Sequence, residues 1–172
     1  MVIEDIMRIS IPGISSGRAH YFAECAVSCL SWNKHKSGTT IFYQGDVEGT
    51  DSINWEIPYD HILRRSTNDM QEATEHGAEC LSILYALQNT DFTVLSRSRK
   101  GSGFDYWLTT KNAVLFQGSA RLEVSGILEG KDKVAERMRS KQEQTKKSDK
   151  SSLPAFVSVV EFSRPLIAFK KR

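Results

Sequence analysis

The sequence predicts a mixed α/β domain in which a β-rich N-terminal part precedes a helix, three strands, a second helix and a final strand. Three observations predict this class. Apolar residues recur at helical spacing over 70–88, strand-like runs follow between 91 and 128, and a charged helical segment separates these runs from a last β-prone run at 155–169. At 172 residues the chain is long enough to bury a core of its own, so we expect a single domain spanning 1–172.

Residues 1–65 are predicted to form an N-terminal antiparallel β extension. The segment 6–14 is expected to be a short strand or an irregular arm, because a Pro-Gly pair interrupts it. Residues 21–30 alternate so that alanine, cysteine and valine share one face, which predicts a half-buried strand. Further strands are predicted at 39–45 and, after a polar loop, at 53–60.

The remaining segment, 66–172, carries the order helix, three strands, helix, strand. Its first helix is expected to begin after a capping residue, for which the candidates are Ser66, Thr67 and Asn68. The later elements are three strands, a weakly amphipathic helix and a final strand broken by a proline, predicted at 91–99, 103–110, 120–128, 131–148 and 155–169.

Two acidic residues lie inside otherwise apolar strand-like runs: Asp105 in GFDYWL and Glu123 in ARLEVSG. An ionised carboxylate in apolar surroundings is costly unless it is paired, hydrogen-bonded or bound to metal. Because side chains alternate along a strand, antiparallel pairing of the two runs would direct both carboxylates into one space, where they could share a cation such as Mg²⁺. The structural alternative is that Asp105 caps a turn at Gly103 while Glu123 pairs with Arg121 or with a lysine.

Composition excludes some classes of protein and leaves others open. The formal net charge is +2, and the three cysteines, Cys25, Cys29 and Cys80, form no even disulfide framework. Neither a signal peptide nor an apolar run of membrane-spanning length is present in the sequence, so we expect a cytoplasmic protein with no membrane partner. Its oligomeric state cannot be derived from these features.

Basic residues are concentrated in two places. Between Lys131 and Lys150, eight basic residues outnumber four acidic ones, which predicts either a nucleic-acid contact through Arg137 and Lys141 or a solvated helix face. The turn-like segment 96–103 carries a second group of candidate nucleic-acid contacts, and the alternative for this group is a polar hairpin turn. Its cations are Arg97, Arg99 and Lys100.

The αβββαβ order, with an Asp on the second strand and a Glu on the third, resembles the core of the PD-(D/E)XK nuclease superfamily, the restriction-endonuclease-like fold, over about residues 68–168. The resemblance implies a phosphodiesterase that uses Mg²⁺ or Mn²⁺ and acts on nucleic acid. It assigns metal binding to Asp105 and Glu123, and the role of the acid on the first helix to Glu75, with Glu72 and Glu79 as alternatives.

This chain departs from the superfamily pattern at the lysine two residues beyond the Glu, where Ser125 stands. A lysine there would orient the attacking water and stabilise developing negative charge, and a serine hydroxyl does the second hardly at all. Three interpretations follow. The lysine has migrated, with Lys131 or Lys133 as its replacement; the protein binds metal and nucleic acid without cutting the nucleic acid; or only the fold is shared.

Four strings, EATEHGA, SRKGSGFDYWL, ARLEVSGI and LPAFVSVVEFSRPL, are also similar to a group of small bacterial proteins to which no activity is attached. A rival hypothesis is therefore a non-catalytic interaction module or a subunit of a larger bacterial, defence-related complex. Its partner would be a protein encoded nearby, and strands at 41–43 and 157–162 would supply the contact edges or faces. An antitoxin-like or immunity protein is a third hypothesis.

Overall fold

The computed structural model describes residues 1–112 and 119–172 and has a mixed α/β architecture around one seven-stranded sheet. The helices are α1 Asp5–Arg8, α2 Ser16–Trp32, α3 His61–Ser66, α4 Met70–Asn89 and α5 Val134–Thr145, with 3₁₀ turns at Lys131–Lys133 and Lys146–Ser151. The strands are β1 Thr39–Gly45, β2 Gly49–Ile53, β3 Phe92–Arg97, β4 Tyr106–Thr110, β5 Ala120–Ile127, β6 Ala155–Glu161 and β7 Leu166–Lys171.

The sheet has the strand order β2-β1-β7-β6-β5-β4-β3. The pairs β5/β6 and β1/β7 are parallel, and the other neighbours are antiparallel. The chain therefore follows the predicted order of helix, three strands, helix and strand from α4 to β6, and a further strand, β7, follows the proline break. The predicted connection between β4 and β5 lies mostly at 113–118, outside the described residues.

The predicted strand at 21–30 is wrong, because these residues form the middle of α2. Ser15 caps this helix by accepting a hydrogen bond from the Arg18 N–H, and the small residues bring α2 close to α4. A Cβ atom added to Gly77 of α4 would lie 3.0 Å from the backbone nitrogen of Ala26. The alternation of Ala23, Cys25, Val27 and Cys29 is equally compatible with a helix that is buried on most of its surface, and all four are buried.

The predicted β extension over 1–65 is reduced to the hairpin of β1 and β2. Residues 6–14 begin with the last residues of α1, and the third strand lies at Gly49–Ile53 rather than at 53–60. This strand is an exposed edge whose residues show no apolar alternation, so only its pairing with β1 reveals it. Since β1 pairs in parallel with β7, the hairpin extends the same sheet.

Helix α4 is capped by Asp69, one residue after the last of the three predicted caps, because the Asp69 carboxylate accepts hydrogen bonds from the N–H groups of Gln71 and Glu72. The backbone of this helix packs unusually close to the backbone of β5. A Cβ atom on Gly126 would lie 2.3 Å from the carbonyl oxygen of Thr74, so only glycine permits this approach. Helix α5 covers the opposite face of the sheet through a smaller apolar cluster that includes Val134.

Candidate functional site

A gap in the sheet creates the candidate site. Strand β4 starts at Tyr106, which pairs with Leu122, whereas β5 continues as far as Ile127. The second half of β5 therefore pairs with β6 on one edge and has no β4 residue opposite it on the other. Helices α4 and α5 close this gap from the two faces of the sheet, leaving a cavity of about 870 Å³ lined by residues from β5 and both helices.

Asp105 lies at the mouth of this gap, one residue before β4. Its N–H donates to the Leu122 carbonyl at 2.9 Å, and its Oδ2 accepts the N–H of Val124 at 2.8 Å. Continuing the β4/β5 register by one residue places Asp105 opposite Glu123. The charge of Asp105 helps to raise the pKa of Glu123, so the two acidic groups lie near each other, as the alternation of the two strands predicts.

The Glu123 side chain is buried, and one of its oxygens is unsatisfied. Oε1 accepts from Lys141 Nζ at 2.6 Å and from Gln144 Nε2 at 2.9 Å, while Oε2 has no hydrogen-bond partner within the described residues. Burial, reinforced by the charge of Asp105, raises the pKa of Glu123 to about 7. Burial also raises the pKa of Asp105, against the hydrogen bond from Val124. A buried carboxylate pair with an unsatisfied oxygen requires a proton or a cation.

Three polar side chains of α5 reach the site because they share one helix face at the spacing 137, 141 and 144. Arg137 Nη1 donates to Ser125 Oγ at 3.0 Å, and Lys141 and Gln144 both bind Glu123. Ser125 and Glu123 are two apart on β5, so their side chains point to the same face. The helix thus supplies a lysine amine to the acidic pair although Ser125 stands at the strand position.

The acid of α4 that faces this site is Glu79. Only 5% of Glu79 is exposed, its charge helps to raise the pKa of Asp105, and it receives hydrogen bonds from Arg97 at 2.8 Å and His76 at 2.9 Å. From the sequence, Glu79 is only an alternative to Glu75, and it is buried because the helix face that carries it covers the sheet gap rather than solvent. Glu75 is exposed but lines the same cavity.

A second cavity of about 480 Å³ adjoins the acidic pair, and Asp105 lines both cavities. Its walls include the turn before β4, which packs so closely on α5 that a Cβ atom on Gly103 would lie 2.7 Å from the Gln144 carbonyl oxygen. The cations along this second cavity, among the described residues, are Arg97, Arg99, Lys100 and Lys147. The basic turn at 96–103 therefore borders the two acids.

Neither of the two lysines expected as replacements is described in contact with Glu123. Lys131 is exposed in the 3₁₀ turn before α5 and is absent from the described lining of both cavities, whereas Lys133 lines the larger cavity. Lys141, expected only as a nucleic-acid contact, is the lysine that touches Glu123. Sequence reasoning missed this role, and it did not identify Gln144 or His76. The signal that could have found this role is the spacing of Arg137, Lys141 and Gln144. It places all three side chains on one helix face, and Ser125 and Glu123 likewise share one face of β5.

The structural alternatives are answered in part. Asp105 binds the Val124 N–H instead of capping a turn at Gly103, and Arg121 binds Ser148 Oγ and the Leu153 carbonyl rather than Glu123. Glu123 does pair with a lysine, as the structural alternative allowed.

The strands expected to present edges to a protein partner lie inside the sheet. Strand β6 is flanked by β5 and β7, and β1 is flanked by β2 and β7, so neither offers a free edge. All residues of β6 are buried, so its faces are covered as well. The rival hypothesis therefore loses the free edges it expected at 41–43 and 157–162 and the faces of β6, whereas the faces of β1 stay partly exposed.

Comparison of the chain with protein-family models, curated proteins and solved structures finds no match. Within 1–112 and 119–172, no three or more His, Cys, Asp or Glu side chains form a group able to hold a metal ion. None of the helices described is both long and apolar enough to cross a membrane. The function must therefore be argued from the geometry of the acidic pair and its neighbours.

Proposed function

We propose that this protein is a metal-dependent nuclease of restriction-endonuclease-like architecture, with Asp105 and Glu123 as the metal-binding acids and Lys141 as the lysine of the site. The observation that carries the proposal is the buried Glu123 carboxylate, which has a lysine amine on one oxygen and no partner within the described residues for the other, beside a second acid. Such an arrangement destabilises the fold, and perturbed carboxylates of this kind are concentrated at functional sites.

The donor set fits Mg²⁺ or Mn²⁺. Mg²⁺ is usually held by one or two carboxylates and keeps several waters, so a pair of acids suffices without a third protein ligand. The unsatisfied Oε2 of Glu123 and a carboxylate oxygen of Asp105 are the atoms that would hold the ion. When bound, such an ion supplies Lewis-acid polarisation of a phosphoryl oxygen and a more acidic water.

The protein residues have separable roles in this proposal. Asp105 is held in position by Val124, and Glu123 by Gln144, so both acids are oriented before the substrate binds. Lys141 stabilises the negative charge that develops on the phosphate, the role that a lysine at position 125 would have had. Arg137, held at Ser125 Oγ, supports the helix face that presents this amine.

The proposal is tested by cleavage of single- and double-stranded DNA and RNA with Mn²⁺ or Mg²⁺, compared with EDTA. We expect metal-dependent cleavage in the wild type and losses of at least about 100-fold in Asp105→Asn, Glu123→Gln and Lys141→Met. Matched controls are Glu136→Gln and Lys146→Met, which remove an exposed acid and an exposed lysine from the same region of the chain and should leave cleavage unchanged.

A thermal shift provides a readout that does not depend on the substrate. Mn²⁺ should raise the melting temperature of the wild type, because a ligand at about 100 times its Kd stabilises the folded state by about 2.7 kcal/mol. The Asp105→Ala, Glu123→Ala double variant should show no such rise. A Mn²⁺ shift that survives in the double variant, or cleavage that survives in all three single variants, contradicts the proposal. Metal binding without cleavage of any substrate would identify a binding protein with an inactive site.

A further inference from the structure

The far end of the larger cavity carries an exposed aromatic side chain. Trp32, the last residue of α2, lines this cavity and is 45% exposed, whereas large aromatic side chains are mostly buried. The next residue fixes its place, because Asn33 Nδ2 donates to the Leu128 carbonyl at 3.1 Å, just beyond the end of β5. An exposed indole therefore lies beyond the C-terminal end of β5, the strand that carries Glu123 near its middle.

The distance from Glu123 to the end of β5 beside Trp32 exceeds the length of one nucleotide. Five residues of strand separate Glu123 from Leu128, which corresponds to about 16 Å at 3.3 Å per residue. Stacked nucleotides rise by about 3.4 Å each, so this length accommodates roughly five of them. A ligand that reaches both the acidic pair and the indole must be an oligomer.

The opposite side of the acidic pair has a different character. Arg99, Lys100 and Lys147 line the smaller cavity there, and these cations outnumber the acids along its described walls. Polynucleotide backbones are bound by such groups, whereas an indole binds an unpaired base by stacking on it. A duplex would present stacked and paired bases to Trp32, and these offer no free base face.

Resting on the proposed function, we infer that the substrate is a single-stranded polynucleotide. It runs from the basic turn, across Asp105 and Glu123, to Trp32, which stacks on an unpaired base on the far side of the phosphate site. Arg99 and Lys100 bind the backbone on the other side. The aromatic group that the basic segment at 131–150 lacks is supplied here by a helix distant in sequence. This path, the single-strand track, contacts only bases and phosphates, and these groups are common to DNA and RNA.

The test measures binding in EDTA, so that cleavage plays no part. Fluorescence anisotropy of labelled oligonucleotides of about 12 nucleotides, one of DNA and one of RNA, should give at least about 10-fold weaker binding for Trp32→Ala than for the wild type. Trp32→Phe keeps an aromatic face and should restore most of the affinity. Trp55→Phe and Ile62→Ala are matched controls: Trp55 lies outside the described cavity linings, and Ile62 is an exposed apolar residue elsewhere, so both should bind as the wild type does.

The basic end of the track has its own readout. Arg99→Glu, Lys100→Glu should weaken binding and reduce its salt dependence, because released counterions set the slope of affinity against salt. Trp32→Ala should leave that slope unchanged. If Trp32→Ala loses affinity for only one of the two oligonucleotides, DNA or RNA, that result would identify which sugar the protein prefers and would support the inference.

Unchanged single-strand affinity in Trp32→Ala overturns the inference, as does wild-type affinity for a blunt duplex equal to that for the single strand. These failures are distinguishable from failure of the proposed function. If the protein binds single strands through Trp32 but shows no metal-dependent cleavage, the proposed nuclease activity is refuted and the inferred single-strand track stands. Cleavage of duplex with no effect of Trp32 would do the reverse.

Discussion

Replacing Asp105 with asparagine should make the protein more stable above neutral pH while abolishing its proposed activity. Asparagine can still accept the Val124 N–H through its carbonyl oxygen, so the hydrogen bond at 2.8 Å is retained. The change removes one of two buried negative charges, and the new amide can donate to the unsatisfied Oε2 of Glu123. The cost of holding two acids together should fall as a result.

The magnitude follows from the pKa of Glu123, which burial and then Asp105 raise from 4.5 to about 7. The folded protein therefore keeps a proton that the unfolded chain releases between these values. Its stabilising contribution is fully present below pH 4.5 and is lost as the pH rises through 7. At 1.36 kcal/mol per pKa unit, the loss across this window is about 3 kcal/mol. Since Asp105 is the second cause after burial, its removal should recover about 1 kcal/mol.

The assay is urea unfolding of the wild type and Asp105→Asn at about pH 5 and about pH 8, with the free energy of unfolding taken from the midpoint and slope. We expect similar values at the lower pH and a variant more stable by about 1 kcal/mol at the higher pH. Asp132→Asn, at an exposed position, is the matched control and should differ from the wild type by no more than about 0.5 kcal/mol at either pH. A variant less stable than the wild type at both pH values refutes the reasoning, because Asp105 would then be net stabilising.

Three further predictions concern the neighbouring elements. Lys141→Met removes the cation now on Glu123, so Mn²⁺ should bind more tightly in a calorimetric titration while cleavage falls; weaker Mn²⁺ binding would contradict the assignment. Glu79→Ala leaves Arg97 without its acid and should cost about 2 kcal/mol in urea unfolding, against less than about 0.5 kcal/mol for the exposed Glu75→Ala, and equal effects would argue against the burial described. Gly126→Ala should lower stability by about 1–3 kcal/mol because its Cβ would clash with α4, whereas Gly17→Ala, with no atom within 4 Å of the added Cβ, should be neutral or stabilising in thermal melts.

The sequence predicts the central part of this fold well because the signals there are periodic and long. The helix from Met70 is capped and amphipathic, and the runs around Asp105 and Glu123 alternate as half-buried strands do. Since an antiparallel pair places opposite residues on the same side, two acids in such runs are expected to converge. The β4/β5 register brings them opposite each other.

The N-terminal part is harder to predict because its small residues satisfy two periods at once. Ala23, Cys25, Val27 and Cys29 alternate like a strand, yet they lie in helix α2 and all four are buried. Residues on nearly every side of a helix that is buried all round are apolar or small, so the period of 3.6 is hidden. Strand β2 is missed for a different reason. It is an exposed edge strand, and no apolar alternation in its sequence reveals it.

By itself the sequence determined that the chain forms a mixed α/β domain with Asp105 and Glu123 in apolar strands. Which groups meet these acids was decided by the tertiary structure. Lys141 reaches Glu123 only because α5 crosses β5 with the matching spacing, and Trp32 reaches the same cavity because α2 ends beside Leu128. Local patterns report which face of an element is apolar, but they carry no information on how far one element slides along another. That relative placement of packed elements is what completes the site.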